Sequence, residues 1–178
     1  MTTPPDSASG GGTAPAAEAP PAQAGPEHAI VKAEEGTWDA TISMMTAPGA
    51  PPQTSKGVET CTLGCNGLWL ITDFKGEMMG QPFHGHGLKG YDPDKKKYVG
   101  VWVDAWTTRL DISEGTYDAA TKTLTSKVKG KDPGSGQEME YTMKTVLQDK
   151  DNRYLAMLVP GPDGKPMEPF RITYKRKK

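Results

Sequence analysis

Apolar and polar residues alternate along several separate segments of the chain. Between Thr37 and Met44, every second residue is apolar and the residues between them are polar or charged. Successive side chains of a β-strand point to opposite faces, so this period of two predicts strands with one buried and one solvated face. The same alternation recurs over residues 123–129, 138–145 and 170–175.

Clusters of glycine, proline, asparagine and aspartate separate the alternating segments, for example at residues 48–52, 64–67 and 92–95. These residue types favour tight turns. Turns at such regular spacing, without helical periodicity between them, are typical of an all-β domain whose successive strands pair antiparallel. The predicted strands cover residues 37–46, 54–63, 67–75, 81–91, 97–104, 108–117, 122–130, 137–148, 153–159 and 168–177.

A meander of ten strands must curl, and closing it removes the exposed strand edges. We therefore predict an all-β fold, an antiparallel up-and-down β-barrel of about ten strands. A short helical segment is predicted over residues 27–35, directly before the first strand.

Three of the predicted strands contain stretches that are apolar on both faces, at residues 67–71, 98–103 and 154–159. In a small closed barrel one face should contact water. The sequence leaves three explanations open: the N-terminal segment covers the outside, a second subunit covers it in a homodimer, or the interior holds an apolar molecule.

Composition separates the first 28 residues from the rest. They include six Pro, seven Ala and four Gly, and no aromatic residue. Such a segment cannot bury enough apolar surface to offset the entropy lost on ordering. We predict a disordered tail over residues 1–28 and one barrel domain over residues 29–178.

The charge balance argues against a nucleic-acid partner. The net charge is −1, and the predicted tail holds three acidic and no basic residues, which leaves about +2 without a clustered basic face. No apolar run approaches the roughly 20 residues of a membrane span, and no signal-peptide pattern is visible. Cytoplasmic and exported locations both remain open.

Gly36 and Trp38 form a Gly-x-Trp motif at the start of the first strand. The motif resembles the signature of lipocalin-like (calycin) barrels, in which the Trp closes the barrel bottom against a basic residue of the last strand. The resemblance implies Arg171, Lys175 or Arg176 as that partner. Arg171 and Arg176 lie on opposite faces by parity, so at most one of them can stack on the indole, for roughly 0.5–2 kcal/mol.

Three longer runs, residues 85–92, 98–104 and 114–118, are similar to an uncharacterised bacterial family, the domain of unknown function 1579. The similarity covers most of residues 30–178. It implies a lipocalin-like barrel and no catalytic activity, since none is established for the family. A related calycin branch binds haem through a histidine late in the chain, whereas His86 is the last histidine here, so no cofactor is predicted.

His84 and His86 form the sharpest chemical cluster in the sequence. On a strand they share a face, about 6–7 Å apart, which suits two imidazoles on one metal ion. A third ligand would have to come from another strand, with Glu59, Cys61 and Asp104 as candidates. The alternative is two polar histidines that line the barrel or its surface, with the flanking glycines easing a bend of the strand.

Trp102 and Asp104 share a face, and an inward carboxylate beside an indole would anchor a small ligand. If that face is outward, Asp104 is only the end of a strand. Flexible methionines suit irregular apolar cavities, with ordinary core filling as the alternative. Further candidate lining residues, each with core or rim packing as the alternative, are Trp69, His84, His86, Arg109 and Tyr154.

No catalytic residue is predicted, because the chain has no Gly-x-Ser-x-Gly nucleophile motif and no phosphate-binding glycine loop. Cys61 and Cys65 are expected to be free thiols. The leading hypothesis is a non-enzymatic protein that binds a small, mainly apolar ligand inside the barrel. The alternatives are a metal-binding protein or metal-dependent enzyme that uses His84 and His86, and a structural homodimerisation module.

Overall fold

Ten antiparallel strands close into a barrel in the computed structural model, which describes residues 20–46, 50–131, 137–161 and 163–178. Each strand pairs with its neighbours in sequence, and β1 pairs with β10 to complete the ring. The predicted fold class is therefore confirmed. The strands are β1 (Gly36–Met44), β2 (Gln53–Gly64), β3 (Trp69–Met78), β4 (Gln81–Asp92), β5 (Lys97–Asp104), β6 (Asp111–Asp118), β7 (Thr123–Lys131), β8 (Glu138–Leu147), β9 (Asn152–Pro160) and β10 (Pro166–Arg176).

Cross-strand pairing determines which side chains face the interior. Trp38 pairs with Glu59 on β2 and with Arg176 on β10, and directly paired residues project from the same face of a sheet. Followed around the ring, this alternation places the largest buried side chains of the strands inside. They are Trp38, Tyr174, Phe74, Ile42 and Leu70.

A short helical segment closes one end of the barrel. A 3₁₀ turn (Pro26–His28) and helix α1 (Ala29–Ala33) precede β1, within the segment predicted to be helical. Ile30 and Val31 of α1 are buried. We call residues 25–35 the cap, the end they cover the capped end, and the opposite end the mouth. Among the described residues, no helix combines the length and apolar character needed to cross a membrane.

The cap includes residues on both sides of the predicted boundary at residue 28. His28 is buried, and its ring meets Tyr91 edge-on at 6.3 Å between centroids. The Tyr98 hydroxyl donates a hydrogen bond of 2.7 Å to the carbonyl of Glu27. The ordered part therefore begins before residue 29, whereas residues 1–19 of the predicted tail lie outside the described residues.

Apolar side chains remain on the outer wall of β3 to β6, which include two of the three strands predicted to be apolar on both faces, β3 and β5. Ile71, Leu88, Val101 and Ile112 are direct neighbours across β3 to β6. Ile71 is 47% exposed, Leu88 38% and Ile112 55%. The cap lies over the end of the barrel, so it leaves this wall uncovered.

Candidate functional site

The barrel interior is tightly packed around Trp38 beneath the cap. In the mouth half it is packed along β3 and β4, where Met78 and Phe83 are 6% and 7% exposed, and more open along β5 and β8 to β10. Near the cap, Trp38, Leu70 and Tyr174 are at most 2% exposed. An inward-facing side chain in a closed barrel stays partly exposed only where water reaches the interior. The inward-facing residues of the mouth half that are only half-buried include Met44, Trp102, Tyr141, Met143, Met157 and Phe170.

A buried ionic network closes the capped end of the interior. Arg153 donates hydrogen bonds to Glu34 of the cap, at 3.0 Å, and to Glu59 of β2. Lys89 also pairs with Glu34, and the Tyr174 hydroxyl donates to Glu59 at 3.0 Å. Two carboxylates thus face two cations, so the buried cluster carries no net charge. Sequence reasoning missed Arg153 because it directly follows a hydrophilic turn.

The network stabilises the charged form of Glu34 and the neutral form of Tyr174. Burial alone would raise the pKa of Glu34, but Lys89 and Arg153 outweigh burial and hold that pKa below its usual value. Burial, followed by the nearby charge of Glu59, raises the pKa of Tyr174. The carboxylate of Glu34 and the neutral phenol of Tyr174 are therefore the forms present at neutral pH.

The motif tryptophan is held by two arginines. Trp38 donates from Nε1 to the carbonyl of Glu34 at 2.9 Å, and the guanidinium carbons of Arg176 and Arg153 lie 4.0 and 4.6 Å from its ring. Of the three basic partners implied by the family resemblance, the structure thus places Arg176 on the indole. Lys175 and Arg171 lie on the outer face of β10 by pairing.

Trp102 lies against the inner wall of β4, over the glycines that flank His86. A Cβ added to Gly85 would come within 2.3 Å of the Trp102 ring, and one added to Gly87 within 3.1 Å. These glycines therefore make room for a flat indole on the wall of the interior. This is a different role from the strand bending that the sequence suggested for them.

The mouth half of the interior also carries polar groups. Trp102 donates from Nε1 to Asp104 at 3.1 Å, and the Tyr141 hydroxyl donates to Asp111 at 3.3 Å. Burial, followed by Asp111, raises the pKa of Tyr141, while Arg109 acts in the opposite direction. Sequence reasoning missed Asp111 and Tyr141, although Tyr141 stands at an apolar position of an alternating strand.

Methionines lie around a small pocket at the mouth. The pocket has a volume of about 40 Å³, and Met44, Met78 and Met79 contribute to its lining. Met79 and Gly80 both have positive φ, 51° and 74°, which is the backbone of a two-residue hairpin turn. The space is close to that of a water molecule.

Four of the seven predicted lining residues lie on the outer wall. Trp69 pairs with Gly90 and lines an outer groove, and Tyr154 stacks under Arg171, whose guanidinium carbon is 4.2 Å from the ring. His84 and His86 pair with the outward-facing residues of β3. Trp102 and Asp104 are hydrogen-bonded to each other at the mouth, and Arg109 lies in the loop after β5, where its charge acts on Tyr141. A ligand-binding role for any of the seven stays a prediction.

The two histidines are exposed neighbours, with ring centroids 6.5 Å apart. His86 lies 3.3 Å from Asp73 across the strand pair. The third ligands proposed from the sequence, Glu59, Cys61 and Asp104, face the interior and cannot join them. Within the described ranges, no group of three or more His, Cys, Asp or Glu residues could hold a metal ion.

Both cysteines are free, as expected from the sequence. Cys61 is buried beside the ionic network and Cys65 is exposed at the turn between β2 and β3. Burial, followed by the charge of Glu59, raises the pKa of the Cys61 thiol to about 12. Cys61 is therefore a neutral core residue at physiological pH.

Comparison with known sequences identifies the family. The profile of the family described as "Protein of unknown function (DUF1579)" matches residues 23–176. The chain is a member of the DUF1579 family. No curated protein matches this DUF1579 chain.

Solved structures similar to the DUF1579 protein share its barrel. Rv2717c from M. tuberculosis superposes with a TM-score of 0.59 at 11% identity, over 86% of this chain and 99% of that one. The S-type phycobiliprotein lyase CPES from Guillardia theta gives a TM-score of 0.52 at 11% identity, over 83% and 90% of the two chains. These similarities confirm the lipocalin-like fold.

Proposed function

We propose that this DUF1579 protein is a non-enzymatic binder of a small, mainly apolar molecule, which enters at the mouth and occupies the open half of the interior. One observation carries the proposal. Inward-facing apolar side chains on the β8 to β10 side of the mouth half, such as Met143 and Met157, are only half-buried, whereas Met78 and Phe83 on the β3 and β4 side are buried. A molecule in contact with the half-buried side chains would remove apolar surface from water.

The composition of this half suits such a ligand. Binding sites for small molecules are mostly apolar, with a few convergent polar groups that orient the ligand. Methionine and aromatic side chains supply the apolar surface, and Asp104, Asp111 and Tyr141 supply polar groups near the mouth. Burial of about 200 Å² of apolar surface would contribute roughly 5 kcal/mol before the costs of association.

The size of the mouth pocket restricts how a ligand would enter. The pocket measures about 40 Å³, less than any drug-sized molecule requires. Methionine side chains have three rotatable bonds and repack at low cost. Rotation of Met44 and Met78, which line the pocket, would therefore have to accompany binding.

The lipocalin-like architecture supports the proposal in general terms only. The phycobiliprotein lyase is an example of a protein with a specific activity on this fold. At 11% identity the likeness concerns the fold, so the argument for binding rests on the interior of this chain.

Titration with the fluorescent apolar probe anilinonaphthalene sulfonate tests the proposal. We expect Met143→Glu, which places a charge inside the open half, to raise the Kd at least about tenfold. Thr142→Glu is the matched control, because Thr142 is adjacent on β8 but pairs on the outer face with Lys127 and Leu158. The control should bind the probe like the unmodified protein.

A third variant separates the interior from the outer wall. Ile112→Glu places a charge on the exposed apolar surface of β6 and should leave the Kd unchanged. Loss of probe binding in Ile112→Glu, with binding retained in Met143→Glu, would place the probe outside the barrel and contradict the proposal. Far-UV circular dichroism of each variant confirms that the barrel is intact.

A further inference from the structure

The outer wall of the barrel carries a contiguous apolar surface at the level of β3 to β6. Its central row of directly paired residues runs from Ile71 through Leu88 and Val101 to Ile112. Trp69 and Val99 extend it on one side, and Val103, which is paired with the polar His86, extends it on the other. A groove of about 200 Å³ lies within the surface, on its β4 to β6 side. We call this surface the outer patch. Its residues are Trp69, Ile71, Leu88, Val99, Val101, Val103 and Ile112.

Residues of the barrel wall itself shape the groove. Gly90 pairs with Trp69, and a Cβ added to Gly90 would lie 2.5 Å from the Trp69 ring, so the indole lies flat on the wall. Lys95 pairs with Glu114 at 2.5 Å, and both residues contribute to the lining. The result is an apolar depression with a charged edge, as in the core and rim of protein interfaces.

We propose that the outer patch is a homodimer interface, in which two copies pack face to face about a two-fold axis parallel to β5. A symmetric dimer uses the same patch on both copies. With the axis along β5, the central strand of the patch, Val101 faces its own counterpart and Leu88 faces Ile112 of the second copy. Two β-sheet faces pack in this aligned manner about 10 Å apart.

The charges beside the patch favour this axis. Lys129 is exposed on β7 between Ile112 and Glu140. Asp73 lies on β3 at the opposite edge, one row below Ile71, where Lys75 and His86 lie 3.3 Å from its carboxylate. A two-fold axis along β5 exchanges these edges, so that Lys129 approaches Asp73 of the second copy. An axis across the strands would instead place Lys129 opposite its own counterpart, where like charges repel.

The area of the outer patch limits how much surface two copies can bury against each other. Four strands about 4.8 Å apart and three rows about 6.8 Å apart span roughly 400 Å² per copy. A standard interface buries about 800 Å² per partner. At about half the standard area, we expect the dimer to be weak and to form in a concentration-dependent manner.

Sedimentation velocity of the full chain over about 5–500 µM tests the interface. We expect the average mass to rise from that of one 19.1 kDa chain towards twice that value. Ile112→Lys should remain monomeric over the whole range. Thr173→Lys is the matched control, because Thr173 is exposed on the outer face of β10, and it should dimerise like the unmodified protein.

A charge exchange tests the axis. Lys129→Glu should raise the dimer Kd at least about tenfold, and adding Asp73→Lys to it should restore the Kd to within about threefold. If adding Asp73→Lys to Lys129→Glu does not restore the dimer Kd, the proposed axis is wrong. A full chain that is monomeric at every concentration, or an Ile112→Lys variant that still dimerises, would overturn the interface. Dimerisation only after removal of residues 1–19 would show that the tail occupies the patch, which also overturns it.

Discussion

At the scale of single residues, Arg153 connects the most parts of the molecule. Its guanidinium group lies between the rings of Trp38 and Tyr174, 4.6 and 4.1 Å from their centroids, and pairs with Glu34 and Glu59. A planar guanidinium can stack and bind two carboxylates at once, which a lysine ammonium cannot do. One side chain thereby links β9 to β1, β2, β10 and the cap.

Removal of Arg153 should destabilise the protein strongly. Arg153→Met leaves two buried carboxylates with only Lys89 to balance them, so we expect a loss of about 3–5 kcal/mol in the free energy of unfolding. Arg171→Met is the control, because Arg171 pairs with Glu168 on the surface and should cost no more than about 1 kcal/mol. Urea unfolding of both variants measures the difference, and similar losses would contradict a special role for Arg153.

The two thiols should differ in reactivity towards iodoacetamide at pH 8. The raised pKa of Cys61, about 12 instead of 9.0, reduces its thiolate fraction about a thousandfold, and burial blocks access. Mass spectrometry should find the native protein alkylated at Cys65 alone and the denatured protein alkylated at both. A Cys65→Ser variant controls for background. Rapid native modification of Cys61 would show that the network opens.

Some residue roles were predictable from the sequence and others were not. The Gly-x-Trp motif predicted Trp38 and limited its partner to three basic residues of the last strand, and only the structure places Arg176 on the indole. Arg153 was not predictable, because its carboxylate partners lie 119 and 94 residues away and nothing local indicates that its charge is neutralised. A buried ion pair depends on tertiary contacts that local patterns do not describe.

At the scale of elements, the cap depends on its polar ties as well as on Ile30 and Val31. The Arg176 guanidinium donates to the carbonyls of Ala33 and Glu35, which satisfies groups at the end of α1. A five-residue helix has little stability of its own. The cap is therefore helical because the barrel end holds it in place.

The cap should loosen in acid. The pKa of Glu34 is held below its usual 4.5, so its contribution to stability is present above that value and is lost as pH falls through the folded-state pKa. Glu34→Gln should therefore lower stability at pH 7 and flatten its decline between about pH 5 and 3. Thermal unfolding across this range measures both effects. Glu138→Gln, at an exposed position, should change neither quantity, and a steep acid decline in Glu34→Gln would assign the effect to another group.

The strands were predictable because alternation and turn residues mark them, and each predicted strand overlaps an observed one. The face of β4 was not predictable. Phe83 and Tyr91 face inward, but Gly85, Gly87 and Lys89 share that face while Leu88 faces outward, so hydrophobicity alone leaves the side undecided. The inward glycines accommodate the Trp102 ring, and that requirement becomes visible only when β5 lies beside β4.

At the scale of the whole molecule, the wall around β5 contributes its inner face to the proposed ligand site and its outer face to the proposed dimer interface. Trp102 faces the interior from β5, and its neighbour Val101 belongs to the outer patch. The number of strands and the closure of the barrel follow from the alternation and turn residues of the sequence, and both were predicted. The open half of the interior depends on how side chains from all ten strands fill the space, which no single segment determines.

Both ends of the barrel's chain lie at the capped end, where Trp38 pairs with Arg176. A linker that joins these ends would lie at the capped end only. A circularly permuted chain with new termini between Met79 and Gly80 should therefore keep every strand pairing. The turn at Met79 and Gly80 and the loop at residues 105–110, both at the other end, are correspondingly free to vary in length and composition. For protein engineering, the loops at the mouth are therefore the segments to replace, while the strands and the capped end are kept.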